Sequence, residues 1–358
     1  MTALAHDIAR IFGTPSVVID LDRVERNIAK LQAACDAAGV ANRPHIKTHK
    51  SPDLARMQKD AGARGITCQK LGEAEVMAEV GFESILVSYN ILGEEKLGRL
   101  ARLMDRTRMI VAADNPVTVE GLPQAASQAG RDLDVVVECD TGYKRAGVET
   151  PGEAIRLAKD IAARPGLRFA GLMMYPPVGS VEASQRFLDE ALAGLREAGL
   201  EPEIVSTGGT PALKELGQIK PVTEHRSGTS IFNDRMMLRA GYADLDDVAL
   251  HVVSTVVSRA GAERGILDAG SKTLTWDSGG LDGYGLILEH PQARIAHFSE
   301  EHGFLDLSAC NDRPGIGDVV RIVPNHVCVV VNMVDRLVAT RGDTIVGEIP
   351  VAARGKIV

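Results

Sequence analysis

A chain of 358 residues with 45% hydrophobic and 25% charged side chains has an ordinary globular composition. It is long enough for one large domain and a smaller one, because single cores stop growing at about 250–300 residues. A net charge of −8 without a basic run argues against a nucleic-acid partner, and no apolar stretch approaches the ~18 residues needed to span a bilayer.

Residues 1–12 lack the basic and apolar regions of a signal peptide. The five cysteines (Cys35, Cys68, Cys139, Cys310, Cys328) form no CxxC pair. The expectation is therefore a cytoplasmic protein with reduced thiols. Residues 16–21 read as a buried strand, with Asp22 capping a helix through Ala34. Strands are expected at 43–47, 65–68, 84–88, 108–112, 134–138, 171–175 and 203–206, and helices such as 71–80, 151–163 and 181–198 fill the gaps.

Strands nearly each followed by a helix predict an α/β fold, a parallel (β/α)8 TIM-type barrel over residues 13–245. Chemistry in such a barrel lies at the C-terminal strand ends. A doubly wound sheet would usually carry a GxGxxG turn after its first strand, and none is present. From residue 249 the rhythm changes to strand-like runs at 252–257, 265–268, 319–323, 327–331 and 336–339, separated by Gly, Asp and Pro turns. They predict a β-rich domain formed by residues 246–358 together with 1–12.

Lys47 ends its expected strand among Arg43, His45, His49 and Lys50. Nearby cations and partial burial disfavour a protonated amine, which suits a lysine that must attack an aldehyde. The same cluster also reads as a solvated basic loop. Ser206-Thr207-Gly208-Gly209-Thr210 and Ser227-Gly228-Thr229-Ser230 can converge backbone N–H groups on a phosphate, though Gly and Ser dominate plain turns as well. His326 and Cys328 stand at i, i+2 on an expected strand and so share a face. Imidazole and thiolate there suit a divalent cation, sulfur favouring zinc, and a buried core pair is the alternative. Asp140 and Arg145 follow a strand and can position a ligand; Trp276 and Tyr284 line an entrance or simply pack.

Arg43-Pro44-His45-Ile46-Lys47-Thr48-His49-Lys50 resembles the lysine motif of the D-threonine aldolase and D-serine dehydratase family. These are fold-type III, alanine-racemase-like pyridoxal-phosphate enzymes. Residues 14–22 are similar to that family's entry strand, and residues 62–67, 138–142, 145–148, 206–211, 267–270 and 324–328 match its motifs in order. The resemblance implies a barrel carrying a β-rich domain, and a homodimer acting on a small D-amino acid. Lys47 would hold pyridoxal phosphate as a Schiff base and act in catalysis with Tyr175. His45, Arg145, Tyr175, Thr207, Gly208, Gly209, Thr210, Arg226, Gly228 and Thr229 would surround the cofactor. His326 and Cys328 would bind the metal, with zinc favoured and manganese or magnesium as alternatives.

Two features of the resemblance favour dehydratases. Arg226 stands where they carry an arginine facing the pyridine nitrogen, which it leaves unprotonated, and Cys328 stands where aldolases usually carry Asp. Pro176-Pro177 replace the His that follows the Tyr in many aldolases, leaving a metal-bound hydroxide, Tyr175 or His302 as the base. The tail over 329–355 is closer to the aldolases. Retro-aldol cleavage to glycine (or a related amino acid) and an aldehyde is the first expectation. Dehydration of D-serine or D-3-hydroxyaspartate with zinc is the alternative. A racemase stands third, since Tyr284 is the only tyrosine beyond Ala249 able to supply a second base. A non-catalytic cofactor carrier would have no use for the residues beyond Ala249.

Overall fold

The computed structural model describes Ala3–Val358, so Met1 and Thr2 of the expected N-terminal segment lie outside the described residues. The chain forms two compact units. One comprises residues through Ala29, Thr48–Asp53 and Thr229–Gly355; the other comprises Lys30–Lys47, Leu54–Gly228 and Lys356–Val358. The boundaries expected at residues 13 and 245 both fall inside the first of these. Among the described residues no helix is long and apolar enough to cross a membrane.

The second unit holds eight parallel strands: β1 (Ala41–Asn42), β2 (Ile66–Cys68), β3 (Ser84–Val87), β4 (Arg108–Ala113), β5 (Leu133–Cys139), β6 (Leu167–Met174), β7 (Ile204–Gly208) and β8 (Glu224–Arg226). They pair in chain order from β2 to β8, and β8 pairs with β1. The Arg64 N–H donates to Asn42 O at 2.9 Å and the Thr67 N–H to Pro44 O at 2.8 Å, which closes the ring as a (β/α)8 barrel. Side chains alternate as a strand requires. Val135, Val137 and Cys139 face the helices, while Val136 joins Leu86, Ile110, Ala112, Ala170, Met173 and Ile204 in an inner layer. The helix Pro151–Ala163 starts where Thr150 and Glu153 form a capping box.

The strand expected over 43–47 stops at Asn42. Pro44 has no N–H to give to a ladder, and Ile46–Thr48 turns as a single 3-10 helix. Lys47 thus sits one turn beyond the strand.

The first unit carries a nine-stranded sheet ordered Arg264–Leu267, Gly303–Asp306, Arg294–Phe298, Leu286–Ile287, Val319–Val323, Leu250–Arg259, Ser16–Asp20, Arg336–Arg341, Thr344–Pro350. Ser16–Asp20, expected to open the barrel series, lies in this sheet instead, antiparallel to Leu250–Arg259 and parallel to Arg336–Arg341. Its buried run suits either sheet; Val18 decides by packing with Ala5, Ile8, Val253, Val319 and Val338. The cap of the following helix, Leu21–Ala38, is Asp20 rather than Asp22, since Asp20 Oδ1 accepts the Asp22 and Arg23 N–H groups. Residues 327–331 form a short helix, Val327–Val331, instead of a strand. Buried Asp234 accepts the Val327 N–H at 3.1 Å and satisfies its first turn.

Gly171 has φ +151°, and a Cβ there would stand 1.8 Å from Ile204 O beside the irregular β5–β6 register. Gly171→Ala should cost about 3 kcal/mol of unfolding free energy in urea, because the backbone has nowhere to retreat. A wild-type midpoint would refute that.

Candidate active site

Lys47 is half-buried, and its backbone N–H points to His45 Nδ1 at 3.4 Å. The other ring nitrogen, Nε2, lies 3.1 Å from Gln69 Oε1 and 3.4 Å from Ser88 Oγ. With Nδ1 accepting, Nε2 carries the proton and donates to Gln69. Burial first, and then the Lys47 charge, push the His45 pKa well below 6.5, so the ring stays neutral beside the lysine. Gln69 and Ser88 were not singled out from sequence. Their signal was position, just past the ends of β2 and β3.

Arg226 ends β8 and is buried. Nη1 donates to Ser206 Oγ at 2.5 Å and Nη2 to Met174 O at 3.1 Å. Burial lowers its pKa to about 10 against the pull of Glu224 and Glu138, which leaves the guanidinium charged at neutral pH. Tyr175 meets Tyr143 edge-on at 4.9 Å, and Arg145 Cζ lies 5.1 Å from the Tyr175 ring centre. Arg145 is otherwise exposed.

Of the two loops, Gly209 (φ +105°) gives clearance instead of a donor. A Cβ there would approach Tyr175 Cζ to 2.8 Å, and its N–H is already donated to Arg226 O at 2.9 Å. At Gly208 a Cβ would come within 3.0 Å of Arg226 Nη2. Thr207 Oγ1 lies 3.1 Å from His225 Nδ1 and Thr210 Oγ1 lies 2.8 Å from Ser227 Oγ. The His45 N–H donates to Ser227 O at 2.8 Å, which ties the lysine segment to the second loop. Gly228 and Thr229 follow, both partly exposed.

His326 and Cys328 do come together, but not as neighbours on a strand face: His326 is the N-cap of Val327–Val331, and Cys328 lies in its first turn. His326 Nδ1 lies 2.6 Å from Asp277 Oδ2. Burial opposes a charged ring, yet Cys328, Asp277 and Asp234 outweigh it and raise the His326 pKa to about 10. Such an arrangement favours positive charge, whether a proton or a metal ion supplies it. Thr48 Oγ1 and Thr229 Oγ1 lie 3.2 Å and 3.9 Å from Cys328 Sγ. No group of three or more His, Cys, Asp or Glu is arranged to hold a metal among the described residues. A catalytic zinc site usually has three protein ligands, so His326 and Cys328 by themselves supply fewer than that. Asp277 lies 49 residues from His326, beyond any spacing rule. Trp276 packs edge-on against Tyr284, His297 and Phe298, and His302 lies exposed on the turn between Arg294–Phe298 and Gly303–Asp306.

A closed parallel barrel with a lysine turn after its first strand, on a chain that also builds an antiparallel sheet, defines an alanine-racemase-like enzyme. Residues 19–236 match the model "Alanine racemase, N-terminal domain" and residues 249–340 match "Putative serine dehydratase domain". The chain is 33% identical to the D-threonine aldolase of Arthrobacter sp, covering 97% of this chain and 94% of that one. It is also 33% identical to the D-threo-3-hydroxyaspartate dehydratase of Delftia sp. (strain HT23), covering 90% and 93%. The crystal structure of D-threonine aldolase from Filomicrobium marinum matches with a TM-score of 0.89 at 34% identity over 96% of both chains. The chain belongs to the D-threonine aldolase and D-serine dehydratase family of fold-type III pyridoxal-phosphate enzymes.

His225, behind the first loop, is buried with no hydrogen-bond partner for Nε2, and burial followed by the Arg226 charge lowers its pKa from 6.5 to about 3. The unfolded chain therefore binds a proton that the folded one refuses. The His225 contribution to stability is complete above pH about 6.5 and is lost as pH falls toward 3. His225→Gln should flatten the decline in urea unfolding free energy between pH 7 and 4.5 by about 2 kcal/mol. An equally steep decline in the variant contradicts this assignment.

Proposed function

We propose that the protein is a pyridoxal-phosphate-dependent, divalent-metal-assisted lyase on β-hydroxy D-amino acids, and that it cleaves Cα–Cβ to release glycine (or a related amino acid) and an aldehyde. The observation that carries the reading is the Ile46–Thr48 turn. Lys47 stands there beside a neutral His45, and the next residue, Thr48, places its hydroxyl 3.2 Å from Cys328 Sγ.

The residues fit both groups. Gly208 lets the charged Arg226 guanidinium lie against the first loop, and Gly209 lets the Tyr175 ring do the same. His326 and Cys328 offer a nitrogen and a sulfur donor. When bound, the cofactor supplies an aldehyde for amines and an electron-accepting ring, and a divalent cation polarises a hydroxyl.

Lys47 would hold the cofactor covalently and, once released, exchange a proton with the substrate α-carbon. Neutral His45 fixes the turn without adding charge beside that amine. Thr207, Gly208, Thr210, Gly228 and Thr229 would hold the phosphate, Gly209 giving clearance to the Tyr175 ring, and Arg226 would face the ring nitrogen while remaining protonated. Arg145 lies against the Tyr175 ring, and Tyr175 in its phenolate form would accept the β-hydroxyl proton and become the phenol. Tyr175 is followed by Pro176-Pro177, so no histidine adjoins it in sequence. His326 and Cys328 would hold the cation, with Asp277 on Nδ1 leaving Nε2 for coordination. The same reading gives a cytoplasmic homodimer with a small D-amino acid as substrate.

Dehydration to a keto acid and ammonia is the second reading, favoured by Cys328 and by the charged Arg226.

Incubation with D-threonine and D-serine separates the two readings. Aldehyde without ammonia is expected; ammonia with keto acid would assign the dehydratase, and neither product would sink the lyase. EDTA should abolish turnover while the visible absorbance of bound cofactor persists. Lys47→Ala should lose the borohydride-reducible covalent cofactor, and an unchanged adduct would overturn the assignment of Lys47.

Asp277→Asn should weaken metal binding about 10- to 100-fold, by equilibrium dialysis, and leave cofactor absorbance intact. Unchanged metal affinity would remove Asp277 from the site.

A further inference from the structure

We propose that Ser206, Glu224 and Arg43 form a buried relay that aims Arg226 and sets the charge it presents to the cofactor, with Glu224 as the positioning residue. The inference rests on the cofactor-facing role proposed above for Arg226. Four side chains form one continuous hydrogen-bonded chain that converges on Glu224. Arg226 Nη1 donates to Ser206 Oγ at 2.5 Å, and the Ser206 hydroxyl donates to Glu224 Oε1 at 2.8 Å. Arg43 Nε donates to the other oxygen, Glu224 Oε2, at 2.7 Å, and Arg43 Nη1 donates to Ser84 Oγ at 3.0 Å. Arg43, Ser206, Glu224 and Arg226 are all buried, Ser206 and Glu224 completely.

The groups facing Arg226 are few. Glu224 and His225 share its strand, Arg43 and His45 follow the first strand, Glu138 lies on the fifth, and Tyr175 follows the sixth. Burial raises the Glu138 pKa, making it the weaker anion of the two carboxylates. Glu224, held by both Arg43 and Ser206, is the fixed one.

A structural ion pair alone would need only Arg43 and Glu224. The Ser206 hydroxyl accepts from Arg226 and donates to Glu224, so the position and field of the guanidinium depend on that carboxylate. Removing the anion leaves more positive potential at a ring facing Arg226, which disfavours cofactor protonation.

The test uses holoenzyme: wild type, Glu224→Gln and Ser206→Ala. The readouts are the pH midpoint of the bound cofactor's visible absorbance, the cofactor dissociation constant, and the melting temperature. Glu224→Gln should lower the midpoint by about one pH unit. Ser206→Ala keeps the Arg43–Glu224 pair, and should fold, weaken cofactor binding about tenfold and move the midpoint. Should Glu224→Gln fail to fold, Ser206→Ala decides alone. A folded Ser206→Ala with the wild-type midpoint and dissociation constant overturns the relay. A wild type that binds no reducible cofactor overturns the cofactor reading, and the relay with it.

Discussion

The Arg43–Glu224 ion pair is the constraint on which the barrel depends. Its side chains are 2% and 0% exposed and 2.7 Å apart. A pair so buried gains little over well-packed apolar residues, but breaking it by removing one partner costs roughly 3–5 kcal/mol, because the other charge is stranded. Its contribution is therefore specification. β1 has only two residues, too short a ladder to fix the closure of eight strands. Arg43 adds what the ladder lacks: it reaches Glu224 on β8 and Ser84 on β3, and it passes Gly65, where a Cβ would stand 2.5 Å from Nη1. One guanidinium thereby fixes the register of the strand before the lysine turn.

The lysine turn inherits that register. The N–H groups of Ala41, Arg43 and His45 donate in alternation to Thr223, His225 and Ser227. Pro44 supplies no donor, and after His45 the chain leaves the sheet. Lys47 thus falls where the ladder ends, with its backbone N–H pointing to the His45 ring. A neutral His45 and a neutral His225 follow from the same burial, since neither has an anion to compensate a proton.

The parts legible in the sequence were those that local chemistry decides. The β-branched runs at 84–88, 108–112 and 134–138 became strands within a residue, and the helix expected over 151–163 has those bounds. Residues 327–331 defeated the same reasoning. Val-Cys-Val-Val-Val has the β-propensity of a strand, yet it is helical because Asp234, 93 residues earlier, satisfies its first N–H. Ser16–Asp20 was legible as a buried strand but not by sheet, since a run buried on both faces fits either. Lys47, His326 and Cys328 stood out by residue type. Asp277 and Glu224 did not, and Ser206 was legible only as part of a loop, because their side-chain partners lie far along the chain.

If Arg226 faces the cofactor ring as proposed, its charge bears on both lyase readings. A guanidinium that holds its proton up to about pH 10 gives none to a ring nitrogen, and an unprotonated ring withdraws electrons weakly. The reaction must then draw more of its driving force from the substrate oxygen. Cleavage releases that oxygen's proton and dehydration releases the oxygen itself; a cation held by His326 and Cys328, as proposed, would assist either. The difference lies in whether a base reaches the β-hydroxyl. With proline after Tyr175, that base on the proposed reading would be the Tyr175 phenolate or a water activated by the cation, and which of them reaches the hydroxyl would separate the two outcomes.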